Sequence, residues 1–151
     1  MLFRSSCRLN MPLADLNLLT SLASQAAKNA HSPYSGFRVG AVALFHENPH
    51  TPFNGVNVEN ASYGLTICAE RAAIFSGIAQ GGKTLAAIAI ACRDREDAVI
   101  PCFYPCGACL QVIAEFATPD TAIFLHDIGA FKLIDFLNKP FALKFDGRST
   151  P

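Results

Sequence analysis

Hydrophobic positions along the chain follow two repeating patterns, one typical of amphipathic helices and one typical of buried strands. Leucines and alanines recur at helical spacing over 12–29, which predicts a helix that ends before the His31-Ser32-Pro33 segment. The pattern predicts three further helices, over 67–80, 107–117 and 131–137. Short apolar runs predict strands over 37–45, 53–58, 85–91 and 121–126, with a short extended piece at 99–104.

This alternation of strands and helices predicts the layers of the fold. Strands separated by helices are typical of α/β folds, in which helices cover the central sheet on both faces. The Asn and Pro residues at 46–52 predict a loop that joins the first two strands as an antiparallel hairpin. We therefore expect an α/β fold with a mixed central sheet.

Length and composition predict a single globular domain. The 151 residues leave no room for a second catalytic domain, and 51% of them are hydrophobic against only 16% charged, so the chain can fill a core. We expect this domain to occupy 12–151. Residues 1–11 are expected to be a disordered extension. The first ten residues hold two Arg, two Ser and no acid, which also fits a transit peptide, and Met11 fits an alternative start.

The charge balance argues against a polyanionic partner. Lys plus Arg and Asp plus Glu both number 12, so the chain lacks the basic surplus with which proteins neutralise phosphates. A small nucleoside-sized ligand fits better than a nucleic acid. No apolar run reaches the roughly 18 to 20 residues of a membrane span, and no secretory signal is visible. The sequence therefore predicts a cytoplasmic protein without a membrane partner.

Three of the six cysteines have a spacing that suits a metal ion. Cys106 and Cys109 form a Cys-x-x-Cys pair, and Cys68 lies at the start of the second predicted helix. Three thiolates suit a tetrahedral Zn²⁺ that keeps its fourth position for water, as in catalytic sites. A closed structural site with Cys102 as fourth ligand remains the alternative. Cys7 and Cys92 are expected to be inert apolar residues.

Two charged residues follow the first of these cysteines. Glu70 is placed to face a zinc-bound water, whose pKa falls towards about 7, and to act as general acid and base. Arg71 is expected to donate hydrogen bonds to the ligating sulfurs. The alternative for Glu70 is a first-turn carboxylate that the helix dipole favours. The order Cys68, Glu70, Cys106, Cys109 matches the Cys₃ variant of the zinc-deaminase signature.

Four motifs together resemble one enzyme family. They are SPYSGFRVGA at 32–41, NVENASY at 57–63, CAER at 68–71 and PCGACLQ at 105–111. In this order they resemble the small cytidine deaminases of pyrimidine salvage, over roughly 13–143. The resemblance implies a three-layer α/β/α fold, a homotetramer with shared active sites, and hydrolysis of cytidine and 2′-deoxycytidine to uridine, 2′-deoxyuridine and ammonia. A zinc-bound hydroxide would attack C4, with Glu70 as proton shuttle.

The resemblance also implies roles for individual residues. Cys68, Cys106 and Cys109 would hold the zinc. Substrate binding would involve residues from the same and from neighbouring subunits. Asn57 and Glu59 would bind the ribose 3′-hydroxyl, Phe37 would pack on the nucleoside, Ala69 would belong to the substrate site, and Ala61, Tyr63 and Phe141 would complete neighbouring sites. By themselves, Asn57, Glu59 and Asn60 also fit loop and cap residues, while Phe37 and Phe141 fit core aromatics.

Other observations keep two further functions open. Leu110, Arg38, Tyr104 and the long loop at 47–52 depart from the family pattern, which bears on subunit contacts and on the surroundings of the leaving ammonia. A polynucleotide or transfer-RNA deaminase shares the metal motif, but it usually carries His in place of Cys68 and must bind phosphates. A non-catalytic zinc module is the third possibility, and the presence of Glu70 argues against it.

Overall fold

The computed structural model describes residues 13–145 and 148–149, with side chains over 16–143. The helices and strands in chain order are α1 (Leu13–Ala27), β1 (Arg38–Phe45), β2 (Asn48–Val56), a 3₁₀ turn (Tyr63–Leu65), α2 (Ala69–Ala79), β3 (Leu85–Arg93), β4 (Val99–Ile100), α3 (Gly107–Phe116), β5 (Ala122–Leu125), β6 (Gly129–Lys132), α4 (Leu133–Phe136), β7 (Lys144–Phe145) and β8 (Arg148–Ser149). The predicted extension over 1–11, with Cys7, lies outside the described residues.

The central sheet is mixed, as predicted. Its strand order is β2-β1-β3-β5-β6, and β4 adds a short pairing at the end of β3. The β3–β5 pair is parallel, because α3 carries the chain back between them, whereas the other pairs in this sheet are antiparallel. All nine residues of β3 are buried, which fits its central place.

Helices cover both faces of the sheet, and the alternation of strand side chains separates two cores. Val42 and Leu44 of β1 pack with Leu19 and Ala23 of α1 on one face. The alternate positions Ala41, Ala43 and Phe45 pack with residues of α2 and α3 on the other face. These faces and their helices form the expected three-layer α/β/α arrangement.

Glycines set the distance between the sheet and the helices above it. A Cβ on Gly40 of β1 would lie 2.0 Å from the Ala23 carbonyl oxygen of α1. A Cβ on Gly55 of β2 would lie 2.2 Å from the Ala73 backbone nitrogen of α2. Since only glycine fits at these contacts, the backbones of α1 and α2 approach the sheet directly. This close approach fixes where α2 begins relative to the strands.

Two predicted boundaries were wrong. The expected loop at 46–52 is a tight turn at His46 and Glu47, after which β2 already starts at Asn48. Residues 49–52 interrupt the pairing between Phe53–Ala43 and Asn48–Phe45 as a bulge. Prolines are tolerated there because an edge strand at a bulge needs few ladder N–H groups.

The helix expected over 131–137 is also shorter than predicted. Residues 129–132 form β6, and only Leu133–Phe136 is helical. Asp127 and Gly129 both have positive φ angles, 61° and 146°, so the chain reverses directly after β5. The reversal lets the next residues pair with β5, and this pairing replaces the first turn of the predicted helix. Within 13–145 and 148–149, no helix has the length and apolar character of a membrane span.

Candidate metal centre and active site

The three cysteines of the motif stand at the N-terminal ends of two helices. Cys68 is the N-cap of α2 and Cys106 is the N-cap of α3, both with extended backbone. Neither side chain caps its own helix, so both sulfurs are free to bind another group. Cys109 lies in the first turn of α3 and is fully buried. The positive ends of both helix dipoles therefore converge on the sulfur atoms.

The geometry of these sulfurs fits a zinc ion. The Sγ atoms of Cys68, Cys106 and Cys109 all lie within 4.8 Å of one another. Zn–S bonds of about 2.3 Å place two sulfurs of a tetrahedral site roughly 3.8 Å apart. The three thiols thus need only small adjustments to share one ion, and a fourth coordination position stays open.

Cys102 does not join this group. Its Sγ lies 3.0 Å from Sγ of Cys92, and both thiols are buried. Within the described part of the chain, the metal-ligand group consists of three cysteines only. The structure therefore gives no support to the closed four-cysteine site.

Arg71 contacts the metal-ligand group at Cys68. Its Nη2 lies 3.5 Å from Cys68 Sγ and donates to the Thr66 carbonyl at 3.4 Å. A hydrogen bond from Cys109 and the charge and hydrogen bond of Arg71 outweigh burial and lower the pKa of Cys68 to about 5. Arg71 and the neighbouring thiol therefore favour the thiolate form of Cys68, the form that binds metal.

Glu70 is a buried carboxyl group beside the sulfurs. It occupies the second position of α2 and is only 6% exposed. Burial raises the pKa of Glu70 above its ordinary value, and the negative charge on Cys68 adds to this rise. A raised pKa brings a carboxyl group closer to neutral pH, where it exchanges protons most effectively.

A pocket of about 210 Å³ opens directly onto these groups. Its wall contains six of the predicted site residues: Phe37, Asn57, Cys68, Ala69, Glu70 and Cys106. It also contains residues that were not singled out for this site: Val39, Thr66, Ile67, Ile90, Cys92, Phe103 and Tyr104. Phe103 and Tyr104 directly precede Pro105-Cys106 in the sequence. Their position beside a metal ligand could therefore have predicted that they line the pocket. A larger groove of about 410 Å³ lies between α1 and residues 124–130, away from the cysteines.

Asn57 supports one wall of this pocket through the backbone of β1. Its Oδ1 accepts a hydrogen bond from the Val39 N–H at 2.8 Å, and its Nδ2 donates to the Phe37 carbonyl at 2.9 Å. Phe37 in turn packs against Phe103, with ring centroids 5.3 Å apart. Asn57 therefore fixes an aromatic wall in place.

Glu59 lies outside the cysteine pocket but close to its rim. Its carboxylate accepts hydrogen bonds from the N–H groups of Tyr34 at 2.9 Å and Ser35 at 3.3 Å, and from the Ser35 hydroxyl. The Ser35 hydroxyl and these N–H groups lower the pKa of Glu59. Glu59 lines a neighbouring hollow with Tyr63, and Thr66 belongs to both the hollow and the pocket.

The residues expected to complete neighbouring subunits' sites are on the surface. Ala61 is exposed, Tyr63 is 77% exposed and Phe141 is 71% exposed. The core-aromatic alternative for Phe141 is therefore wrong. Gln111 holds the Phe141 backbone with two hydrogen bonds, of 2.9 and 3.2 Å, while the ring projects from the surface. None of these three side chains lines the cysteine pocket.

The departures from the family pattern have local explanations. Leu110 is buried in the core between the sheet and α3. Arg38 forms an ion pair with Asp97 at 3.4 Å. Tyr104 packs edge-on against the Phe131 ring, with centroids 5.9 Å apart. None of these three contacts is made to a metal-ligand cysteine or to Glu70.

Comparison with known proteins agrees with this geometry. The family model of the cytidine and deoxycytidylate deaminase zinc-binding region matches residues 14–125, well over half of the chain. The chain belongs to this family. The matched deaminase region contains Cys68, Cys106 and Cys109, which identifies zinc as the metal for the three-cysteine group.

Relatives extend the match to most of the deaminase chain. The cytidine deaminase of Halalkalibacterium halodurans is 41% identical over 114 residues, 76% of this chain and 81% of that protein. The cytidine deaminase of Mycobacterium tuberculosis is 41% identical over 133 residues, 88% and 94% of the two chains. The crystal structure of cytidine deaminase from Mycobacterium tuberculosis matches with a TM-score of 0.71 at 41% identity, over 85% of this chain and 98% of that one. The family and fold predicted from the sequence are thus confirmed.

Proposed function

We propose that this deaminase hydrolyses cytidine and 2′-deoxycytidine to uridine and 2′-deoxyuridine, with release of ammonia. The observation that carries the proposal is Glu70, a buried carboxyl group in the wall of a pocket that also contains Cys68 and Cys106. Structural zinc sites have four protein ligands, whereas catalytic sites have three and leave the fourth position to water or substrate. A buried carboxyl group beside a three-cysteine site therefore favours a catalytic role. The two relatives described above are both named cytidine deaminase, which supports the same substrate.

Cys68, Cys106 and Cys109 would hold the zinc ion. When bound, zinc supplies a water molecule whose pKa is lowered to about 7 and which can therefore act as a nucleophile at neutral pH. Three thiolates bring one more negative charge than the ion neutralises. The N-termini of α2 and α3 and the Arg71 guanidinium offset that surplus, since all three direct positive charge at the sulfurs.

Glu70 moves the protons of the reaction. As a carboxylate it accepts a proton from the attacking water, and as a carboxylic acid it donates that proton to N3 of the pyrimidine ring. It then accepts the second proton, from the hydroxyl that the attack places on C4, and donates it to the amine, so that ammonia leaves and the C4 carbonyl forms. Burial serves both directions because it raises the pKa of Glu70 and so brings the two forms closer in free energy. Glu70 is only 6% exposed, which limits the exchange of these protons with bulk water.

The remaining pocket residues orient the nucleoside. Phe37 and Phe103 offer apolar surfaces to a planar base, and Ala69 leaves room beside Glu70. We assign the ribose 3′-hydroxyl to Asn57 and Glu59. Glu59 lines the hollow that shares Thr66 with the pocket, which supports this assignment. Asn57 acts in addition through the Phe37 carbonyl that it binds.

A homotetramer with shared active sites completes the proposal. The exposed side chains Tyr63, Phe103 and Phe141 are large and apolar, and such surfaces are typical of interfaces. Each chain would lend Ala61, Tyr63 and Phe141 to its neighbours. We also propose that the enzyme works in the cytoplasm without a nucleic-acid partner. Free cysteines in the described part of the chain and zero net charge support this.

One experiment separates the candidate functions. Purified protein is incubated with cytidine, adenosine or a cytosine-containing oligonucleotide, and ammonia release is followed while bound zinc is measured. We expect one zinc per chain and ammonia from cytidine only. Release from the oligonucleotide alone would indicate a polynucleotide deaminase. Full zinc content without ammonia from any substrate would indicate a structural module.

A further inference from the structure

The second close pair of cysteines has no part in the deamination derived above. Sγ of Cys92 and Sγ of Cys102 lie 3.0 Å apart, and the residues are 2% and 5% exposed. A disulfide bond requires a sulfur–sulfur distance of about 2.05 Å, so an approach of about 1 Å joins the pair. The sequence analysis predicts that Cys92 is an inert apolar residue. In the structure its sulfur lies next to the thiol of Cys102.

Backbone pairing holds the two cysteines together. Cys92 lies near the end of β3, opposite Ile100 of β4, and Cys102 follows Ile100 by two residues. Both side chains belong to the core beneath α2 and α3. The two residues are therefore adjacent because of the fold.

One residue of the pair borders the active-site pocket. Cys92 is part of the pocket wall, together with Glu70. Cys102 starts the segment that carries Phe103 and Tyr104 to the metal ligand Cys106. Cys92 is therefore the residue of the pair that borders the pocket, although both residues are almost fully buried.

We propose that Cys92 and Cys102 form a reversible intramolecular disulfide when a small peroxide enters the pocket. One thiol gives its sulfur's electron pair to the peroxide oxygen, which produces a sulfenic acid and releases one water. The second thiol attacks that sulfur, so that the S–S bond forms and a second water leaves. Two thiols are oxidised by two electrons, and one hydrogen peroxide is reduced to two waters. The hydrogen bond within the pair lowers the pKa of Cys92, which favours the first step.

The disulfide has a definite structural consequence. It ties β3 to the segment over 101–106, and this segment forms one wall of the pocket and ends at a metal ligand. The oxidised chain should be more resistant to unfolding than the reduced chain, because the cross-link restricts the unfolded state. This chemistry does not depend on the substrate of the pocket, so it goes beyond the proposed function and can fail or succeed separately.

Peptide mapping tests the proposal on the zinc-loaded protein. Trypsin cleaves after Arg93 and Arg95, so Cys92 falls in the peptide 84–93 and Cys102 in the peptide 96–132. The protein is treated with hydrogen peroxide, free thiols are blocked by alkylation, and the digest is analysed by mass spectrometry. We expect a cross-linked pair of these two peptides, a loss of about 2 Da from the intact chain, reversal by dithiothreitol and unchanged zinc content.

Variants identify the partners. The peptide 96–132 also contains Cys106 and Cys109, so Cys102→Ser must abolish the cross-link, and Cys92→Ser must do the same. A cross-link that persists in Cys102→Ser overturns the assignment of the pair. The proposal also fails if the parent protein, treated with peroxide, keeps Cys92 and Cys102 fully open to alkylation after denaturation. That result comes from the unaltered chain and therefore does not depend on whether a variant folds.

Discussion

Two neighbouring residues at the start of α2 divide the work of the site. Glu70 points into the pocket and is 6% exposed, whereas Arg71 turns towards the sulfur of Cys68 at 3.5 Å. Consecutive residues of a helix face directions about 100° apart, so a catalytic group and a charge-balancing group can follow one another in sequence. The short motif CAER at 68–71 thus contains a metal ligand, Cys68, a group for proton transfer, Glu70, and a positive charge that stabilises the ligand, Arg71.

Replacement of Glu70 tests proton transfer. Glu70→Gln keeps the size of the side chain but removes its acid–base chemistry, and we expect kcat for cytidine to fall by about 10²- to 10⁴-fold. Folding and zinc content should stay at parent values. The matched control is Glu115→Gln, an exposed glutamate on α3. Parent-like turnover by Glu70→Gln would contradict the assigned role.

The zinc content of cysteine variants distinguishes the metal ligands from the other cysteines. Cys68→Ser, Cys106→Ser and Cys109→Ser should each lose stoichiometric zinc, because three sulfurs are the minimum set the structure brings together. Cys102→Ser should retain it, since its Sγ contacts Cys92 instead. Zinc is measured on freshly purified protein by atomic absorption. Loss of zinc from Cys102→Ser would restore the closed four-cysteine site.

At the scale of elements, the site depends on helices that begin at one place. The N-terminal ends of α2 and α3 meet over the end of β3, although 38 residues separate Cys68 from Cys106. The close approach of α2 to Gly55 of β2 determines where Cys68 stands, while Asn57 just after β2 holds the start of β1. Strand and helix positions therefore define the pocket together.

Asn57 is expected to matter for both stability and substrate affinity. Asn57→Ala leaves the partly buried Val39 N–H and Phe37 C=O without their side-chain partner, which should lower the free energy of unfolding by about 1–2 kcal/mol. KM for cytidine should rise because Phe37 loses its anchor. Urea denaturation and steady-state kinetics measure the two effects. Asn54→Ala, at an exposed position of β2, is the control and should change neither.

Gly40 tests the spacing between α1 and the sheet. In Gly40→Ala the new Cβ would lie 2.0 Å from the Ala23 carbonyl oxygen, so α1 must shift, at a cost of about 1–3 kcal/mol of stability. Gly64→Ala is the matched control, because a Cβ there meets no atom within 4 Å. Thermal unfolding compares the two variants. Equal midpoints for both would show that the contact at Gly40 does not limit packing.

The local hydrophobic pattern predicted most helices and strands. The elements that it did not predict depend on contacts between segments that are distant in sequence. The alternating layers and the cysteine group followed from periodicity and spacing, because Cys106 and Cys109 are neighbours within one helical turn. The strand over 129–132 and the early start of β2 depend on pairing with β5 and β1, which single-segment patterns do not contain. Likewise, the contact between Cys92 and Cys102 arises from the β3–β4 register.

At the scale of the whole molecule, a single chain leaves its site open. Phe103 and Tyr104 line the pocket yet are 67% and 61% exposed, and Phe141 is exposed as well. Acid–base chemistry with a buried carboxyl group works best when bulk water is excluded. Further chains packed around the opening would supply that exclusion, which is the physical reason for the proposed tetramer.

Subunit mixing tests the shared site. Glu70→Gln and Phe141→Ala chains, each of low activity by itself, are unfolded, mixed and reassembled. In a random assembly about one quarter of the sites combine an intact Glu70 with an intact Phe141 from a neighbour, so activity should reappear. Light scattering measures the mass of the assembly. A fully active monomer, or no recovery in assemblies shown to be mixed, would contradict the shared site.

The bulge at 49–52 has a consequence for the solubility of the folded chain. β2 is an edge strand, and the outward row of N–H groups on such strands is a template on which other chains can aggregate. Pro49 and Pro52 have no N–H, so the row is interrupted twice within four residues. The opposite edge strand, β6, has only four residues and ends in Lys132. Both borders of the sheet thus offer poor templates for strand-to-strand growth.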